Sequence, residues 1–263
     1  MTINIILQAR TSSTRLPEKV LKDILGKPML VHQLERLKSL TLVDKIIVAT
    51  SNDASDDVIE QLCQSVGIHC FRGSLANVLD RYYQASLAYP SDHVVRITGD
   101  CPVIDTDIIE QVIQLHLNTA ADYSSNCDPA TLPDGLDVEV FTFSALQQSW
   151  QHAKKPSELE HVTPFMRSHP ELFTCQNYTH SPDYSHLRWT VDEPADFELI
   201  TQIYHELYPN KPMFKLKDML KLIEQKPHLA AINAHFKRNE GLLKSLQQDK
   251  LSCDVKAQTP EKD

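Results

Sequence analysis

The sequence predicts an α/β fold: a mostly parallel, mixed sheet with helices on both faces. Two features of the chain predict it. Short apolar runs alternate with amphipathic helical segments through residue 118, the pattern of a parallel sheet covered by crossover helices. After residue 120 the strand-like runs come closer together, which predicts a mixed extension of the same sheet. The first strand is expected over residues 3–7. The helix over 28–40 carries Val31, Leu34, Leu37 and Leu40 on one stripe, and Pro28 suits its first turn. A strand over 45–50 (KIIVAT) leads to a helix over 57–66 with Ile59, Leu62 and Val66 inward. A short strand over 69–71 and a helix over 78–87 follow. The strand over 93–98 (HVVRIT) ends in Gly99-Asp100-Cys101-Pro102, and Asp105 is the expected N-cap of the helix to Leu117. Beyond it, strands are expected over 122–126, 136–143, 173–178 and 187–191, with helices over 143–154, 158–168 and 195–208. Helices on the outside of the fold are expected within 215–248. One domain over 1–250 and a disordered, polar tail over 251–263 complete the expectation.

Composition narrows the function classes. A net charge of -9 over 263 residues repels a phosphate backbone, which excludes non-specific nucleic-acid binding and requires any anion site to be a local basic pocket. The six cysteines show no CxxC spacing, so neither a zinc site nor a disulfide framework is expected. No apolar run approaches a membrane span, and the expected location is cytoplasmic. Only six glycines are present, and neither GxGxxG nor GxxxxGK[ST] occurs. A dinucleotide-binding Rossmann site and a P-loop are therefore excluded.

The chemistry concentrates where strands end. Gln8-Ala-Arg-Thr-Ser-Ser-Thr-Arg-Leu-Pro-Glu-Lys-Val-Leu21 follows the first strand and places Arg10, Arg15 and Lys19 among four hydroxyls. Guanidinium groups bind phosphate oxygens bidentately, hydroxyls add neutral hydrogen bonds and Lys adds a point charge. Arg10, Arg15 and Lys19, with Ser12, Ser13 and loop amides, are the expected phosphate grip; a solvated basic loop is the alternative. Asp100 and Asp192, each at a strand end, could share one Mg²⁺ and leave positions open for phosphate oxygens and water. Asp192 could equally cap the helix starting near Pro194. Asp137 and Glu139 alternate with Val138 and Val140, so they share one strand face, turned either to a cleft or to solvent. His161 is placed near a helix start, where it could contact substrate or act in proton transfer.

These motifs converge. QARTSSTRLPEKVL, GKPML, RGSLANVLDRYYQA, RITGDCPVID, DGLDVEVF, EHVTPF and RWTVDEPADFELI, in this order, resemble the cytidylyltransferase superfamily. The nearest branch is the spore coat polysaccharide biosynthesis protein F type, with CMP-sialic acid and CMP-Kdo synthetases more distant. The resemblance covers residues 3 to about 208. It implies a Rossmann-like nucleotidyltransferase fold, with a nucleotide-binding half over 1–120, a sugar-binding half over 121–210 and a helical C-terminal region over 211–250. It implies transfer of CMP from CTP to an acidic sugar with release of pyrophosphate, Mg²⁺ as cofactor, and a homodimer. By the same resemblance Ala9, Arg10, Ser12, Ser13, Arg15, Lys19, Arg72, Asn77 and Asp80 serve the nucleotide. Asn126, Asp137, Glu139 and His161 serve the sugar, Asp100 and Asp192 the metal, and Arg15, Lys19 and Asp100 catalysis. The chain departs from the pattern at Glu18, where many relatives have Gly, and at Leu159, where the branch often has Arg. A glycosyltransferase using a nucleotide sugar and a catalytically silent nucleotide-binding protein are the rival readings.

Overall fold

The computed structural model describes residues 1–257. In chain order the elements are β1 (Ile3–Gln8), β2 (Asp23–Ile24), β3 (Lys27–Pro28), α1 (Met29–Leu37), β4 (Lys45–Ser51), α2 (Asp57–Ser65), β5 (His69–Gly73), α3 (Val78–Ala88), β6 (His93–Thr98) and α4 (Thr106–Thr119). There follow β7 (Tyr123–Ser125), β8 (Glu139–Thr142), α5 (Phe143–His152), α6 (Pro156–His161), α7 (Pro164–Ser168) and β9 (Cys175–Asn177). The last elements are α8 (Pro194–Leu207), α9 (Leu216–Gln225), α10 (His228–Ala231) and α11 (Glu240–Ala257).

Seven strands form one sheet in the order β5-β4-β1-β6-β8-β7-β9. All neighbours are parallel except those of β8, which runs against both β6 and β7. The strand period of two divides the sheet between two cores. Ile5, Leu7, Val48, Val95, Ile97 and Val140 pack in one core with side chains of α1, α2, α4, α8 and α9. Ile6, Ala49, Val94 and Phe141 pack in the other with those of α3, α5 and α7. The mixed sheet with helices on both faces is thus as the sequence predicts. Among the described residues no helix is long and apolar enough to cross a membrane.

The order around β1 positions the site. The chain leaves β1 for β4 on one side and later returns as β6 on the other. Loops at the carboxyl ends of β1 and β6 therefore diverge and leave a crevice at this topological switch point.

Three expectations change in the second half of the chain. The segment over 187–191 is not a sheet strand. It pairs instead with the loop before β8, through Asp134 N to Leu187 O at 3.0 Å, and with the end of β6, through Val191 N to Asp100 O at 2.8 Å. Gly135 permits this: its φ is +104°, and a Cβ there would lie 2.5 Å from the Thr190 nitrogen. The helix expected over 158–168 is two helices, because Val162 adopts φ 71° and Pro164 starts a new turn. His161 consequently ends α6 rather than starting a helix. Finally, α11 runs across the boundary expected at 250–251, so a disordered tail from 251 is corrected as far as Ala257; residues 258–263 lie outside the described residues.

Candidate active site

A cavity of about 340 Å³ opens at the carboxyl ends of β1 and β6. The loop after β1 enters it from a fixed start. The buried Asp56 carboxylate accepts from Thr11 N at 2.8 Å and Thr11 Oγ1 at 2.7 Å, and from Ser51 N at 3.1 Å. Burial opposes the charge of Asp56, and these bonds outweigh it and hold its pKa below the usual range. Leu16 and Val20 anchor the far part of the loop in the core. Between them Glu18 takes a left-handed conformation, with φ 53°. This is a backbone conformation that favours Gly, the residue the resemblance leads one to expect here.

Lys19 then reaches the end of β6. Its Nζ donates to Asp192 Oδ1 at 2.8 Å, to Val191 O at 2.8 Å and to Asp100 Oδ2 at 3.2 Å. Asp100 and Asp192, ninety-two residues apart in sequence, thus meet around one cation. Two features bring Asp100 there. Gly99 lets β6 press against β1, since a Cβ at Gly99 would sit 3.0 Å from Gln8 O. Asp105, not Asp100, caps α4, accepting from Asp107 N at 2.9 Å. Asp192 is likewise no cap. Asp196 accepts from both Asp192 N and Glu193 N at 2.9 Å, which leaves the Asp192 carboxylate for the cavity. Burial opposes ionisation of Asp100, but the Lys19 charge prevails and lowers its pKa to about 2. Lys19 is desolvated as well, and the two carboxylates raise its pKa.

Arg15 lies beside this cluster, 3.0 Å from Asp192, 3.2 Å from Glu193 and 3.7 Å from Glu240 on α11. Ala9, Arg10 and Ser13 also border the cavity. Ser12 does not and is exposed.

The acidic row behaves as one of the two readings of its alternation. Asp137 and Glu139 border the cavity, while Val138 and Val140 are fully buried. Each carboxylate faces a cation: Arg238 beside Asp137 and Arg96 beside Glu139. Glu139 also accepts from Tyr123 Oη at 2.7 Å and from Thr163 Oγ1 at 2.5 Å, and the latter uses the break between α6 and α7. Burial works against Glu139, yet Arg96 and these hydroxyls lower its pKa. His161 borders the cavity, shares a hydrogen bond with Ser245 of α11 at 3.1 Å, and has its pKa lowered by burial.

Four residues assigned through the resemblance lie elsewhere. Arg72 pairs with Asp57 and with Glu60 at 3.0 Å and donates to Ser51 O at 3.0 Å, outside the cavity lining. Asn77 caps α3 through Asp80 N at 2.9 Å. Asp80 accepts from Trp150 Nε1 at 2.9 Å. Asn126 is buried, donating to Leu136 O and accepting from Val138 N, both at 2.8 Å, so it clamps the approach to β8. Leu159, the other departure, packs against the second core and does not border the cavity.

The structure adds Arg81, Arg96, Arg167 and Arg238 to the lining. Arg96 had a visible signal, a charge inside the apolar run of a central strand. Arg238 had none, because it follows the helices that carry no motif. The thiol of Cys101, also in the lining, is pushed well up by burial and offers no nucleophile.

A family model described as cytidylyltransferase matches residues 4–232. The chain belongs to the cytidylyltransferase family. It is therefore a nucleotidyltransferase, and its sheet is the Rossmann-like form of that fold. An uncharacterised protein of Methanocaldococcus jannaschii is 37% identical over 238 residues, 89% of this chain and 95% of that protein. The spore coat polysaccharide biosynthesis protein SpsF of Bacillus subtilis is 29% identical over 240 residues, 86% and 95% of the two chains. A 3-deoxy-manno-octulosonate cytidylyltransferase of Hydrogenovibrio crunogenus is 28% identical over 227 residues, 84% of each. The solved structure of a cytidylyltransferase from Leptospira borgpetersenii superposes with a TM-score of 0.83 at 31% identity, covering 88% of this chain and 97% of that one.

Proposed function

We propose that this cytidylyltransferase transfers CMP from CTP to an acidic sugar and releases pyrophosphate, in the making of a surface polysaccharide. One observation carries the reading: Lys19, Asp100 and Asp192 converge at the switch point between β1 and β6, beside Arg10 and Arg15. The acidic acceptor rests on the relative that acts on 3-deoxy-manno-octulosonate, and the polysaccharide context on SpsF.

The oxygens of Asp100, Asp192 and Val191 that surround Lys19 Nζ are hard donors converging on one point. They are the donor type that Mg²⁺ takes, and two carboxylates suffice when phosphates and waters complete its shell. Asp100 and Asp192 would hold the ion, which when bound supplies Lewis acidity at the α-phosphate. The low pKa of Asp100 keeps it ionised for that role throughout the neutral range. Lys19 and Arg15 neutralise the charge that grows on the departing pyrophosphate. A triphosphate at Arg15 exchanges the carboxylates of Asp192, Glu193 and Glu240 for phosphate oxygens. The walls hold the attacking sugar hydroxyl in line with the α-phosphorus, since phosphoryl chemistry asks for positioning above all.

The test is pyrophosphate release with CTP, UTP, GTP and ATP against a panel of acidic and neutral sugars, with and without Mg²⁺. Turnover confined to CTP, an acidic sugar and added Mg²⁺ is the expected result. A preference for UTP or ATP, or for neutral sugars, would overturn the respective part.

A further inference from the structure

Arg81 is the one buried cation of the cavity wall without a carboxylate partner among the described residues. Arg15, Lys19, Arg96, Arg167 and Arg238 each have a carboxylate partner. Arg81 takes part in none of the ion pairs among the described residues, although it is only 2% exposed. Its Nη1 reaches Ser74 O at a long 3.3 Å, and its Nε has no partner. Burial lowers its pKa, and among the neighbouring charges Arg10 pushes in the same direction. Arg36 gives the contrast. That guanidinium is also buried, but it donates from Nε to Ile104 O at 2.8 Å and from Nη2 to Phe214 O, and lies 4.6 Å over the Phe214 ring. Arg36 draws two backbone acceptors and a ring from the fold, with its Nη1 unpartnered, and does not border this cavity. Arg81 has the single long bond to Ser74 O and borders it.

A buried guanidinium with one long hydrogen bond and no counter-ion is costly unless something else supplies acceptors. Arg10, exposed and bordering the same cavity, adds a second positive charge that makes an anion more favourable still. We propose that Arg81 and Arg10 form a phosphate-binding pair for the nucleotide, with Arg81 as its buried anchor. The unpartnered Nε belongs to the Nε–Nη2 edge, the edge through which Arg188 grips Asp196, and that edge suits the bidentate geometry of a phosphate. This rests on the nucleotidyltransfer reading and gives a nucleotide-site role to a residue assigned none from sequence.

The experiment is calorimetric titration of the wild type, Arg81→Gln and Arg81→Lys with MgCTP, with cytidine binding followed by ligand-observed NMR and thermal melting run in parallel. MgCTP affinity should fall about tenfold or more in Arg81→Gln, the size of a lost hydrogen bond to a charged group, and recover in part in Arg81→Lys. Cytidine binding should stay within about threefold in the same variants, because the nucleoside carries no phosphate. The melting temperature should hold or rise, since an unpaired buried charge is removed. Unchanged MgCTP affinity, an equal loss for cytidine, or melting that falls in step with affinity would each overturn the assignment. A wild type that binds MgATP or MgUTP but not MgCTP would defeat the cytidylyl reading, and the same titrations with that triphosphate would still decide the role of Arg81. A wild type that binds none of them would defeat both.

Discussion

Lys19 holds two carboxylates that would otherwise repel each other, so the residue-scale chemistry is a balance around one ammonium group. Asp100→Asn removes one charge from that balance while Lys19 keeps Asp192 and the Val191 carbonyl. Turnover in a pyrophosphate-release assay should drop by about 10²-fold or more, the size of losing a major electrostatic stabiliser. Circular dichroism should show the fold retained; near-normal turnover would reject a metal role for Asp100. Glu18 offers a test of backbone rather than charge. At φ 53° an L-residue is strained by about 1–2 kcal/mol, and glycine gives back part of that gain through its greater freedom in the unfolded chain. Glu18→Gly should therefore stabilise the protein by up to about 1 kcal/mol in urea denaturation. A clear loss of stability would show that the Glu18 side chain contributes something the geometry does not reveal.

At the scale of elements, α4 is tied to the sheet through a buried histidine. His116 is fully buried and shares hydrogen bonds with His93 at 3.0 Å and with Ser124 Oγ at 3.1 Å. Burial first, and then repulsion by His93, lowers its pKa to about 4. The unfolded chain takes up a proton near pH 6.5 that the native state refuses until about pH 4. Stability is therefore complete above about pH 6.5 and falls through this window, by about 3 kcal/mol for this one group. Urea denaturation of the wild type and His116→Gln across pH 4–7 should show the wild type losing more stability on acidification; parallel curves would refute the shift. The elements themselves were largely legible, because the strands β1, β4 and β6 and the helices between them follow plain periods of hydrophobicity. The misses have physical causes. Residues 187–191 look like a strand but bond to a loop, because Gly135 admits a backbone approach that no hydrophobic pattern encodes. The 158–168 helix looked continuous because the positive φ of Val162 is rare for a β-branched residue and carries no sequence signature. Of the cavity residues, Arg15, Lys19 and Asp100 were legible because they lie in loops that follow β1 and β6, and Asp192 because its segment reads as a strand although it is none. Arg72, Asn77 and Asp80, named through the resemblance, lie outside the cavity lining and engage in ion pairs, a helix cap and a hydrogen bond from Trp150, respectively. Arg81 lies inside the quoted stretch RGSLANVLDRYYQA without a role assigned to it, and only tertiary packing shows that it is buried.

At the scale of the whole molecule, the cavity is closed by a segment from outside the span of the family model, which ends at residue 232. Arg238, Asn239, Glu240, Gly241 and Leu242 all border the cavity. Their position depends on the seating of α11 against α6. There Asp249 accepts from Ser157 N at 3.0 Å and Ser157 Oγ at 2.5 Å, and Ser245 donates to Glu160 at 2.7 Å. Asp249 is nearly buried and lies far from the triphosphate loop in sequence, so its replacement changes the closure without touching Lys19, Asp100 or Asp192. Asp249→Ala leaves the Ser157 donors without their acceptor, a change that should destabilise the docking of α11 by about 1–3 kcal/mol. The core sheet holds no part of this contact, and its unfolding should shift far less. Trypsin should cut the variant faster at Lys244 and Lys250 than the wild type, while the β1–β6 core resists. With the wall loosened, KM for the sugar acceptor should rise more than KM for CTP, because the segment pairs Arg238 with Asp137 of the acidic row and meets the nucleotide loop at its rim, through Glu240 and Arg15. Equal proteolysis of the two proteins, or a larger rise in KM for CTP, would show that α11 does not shape the acceptor side.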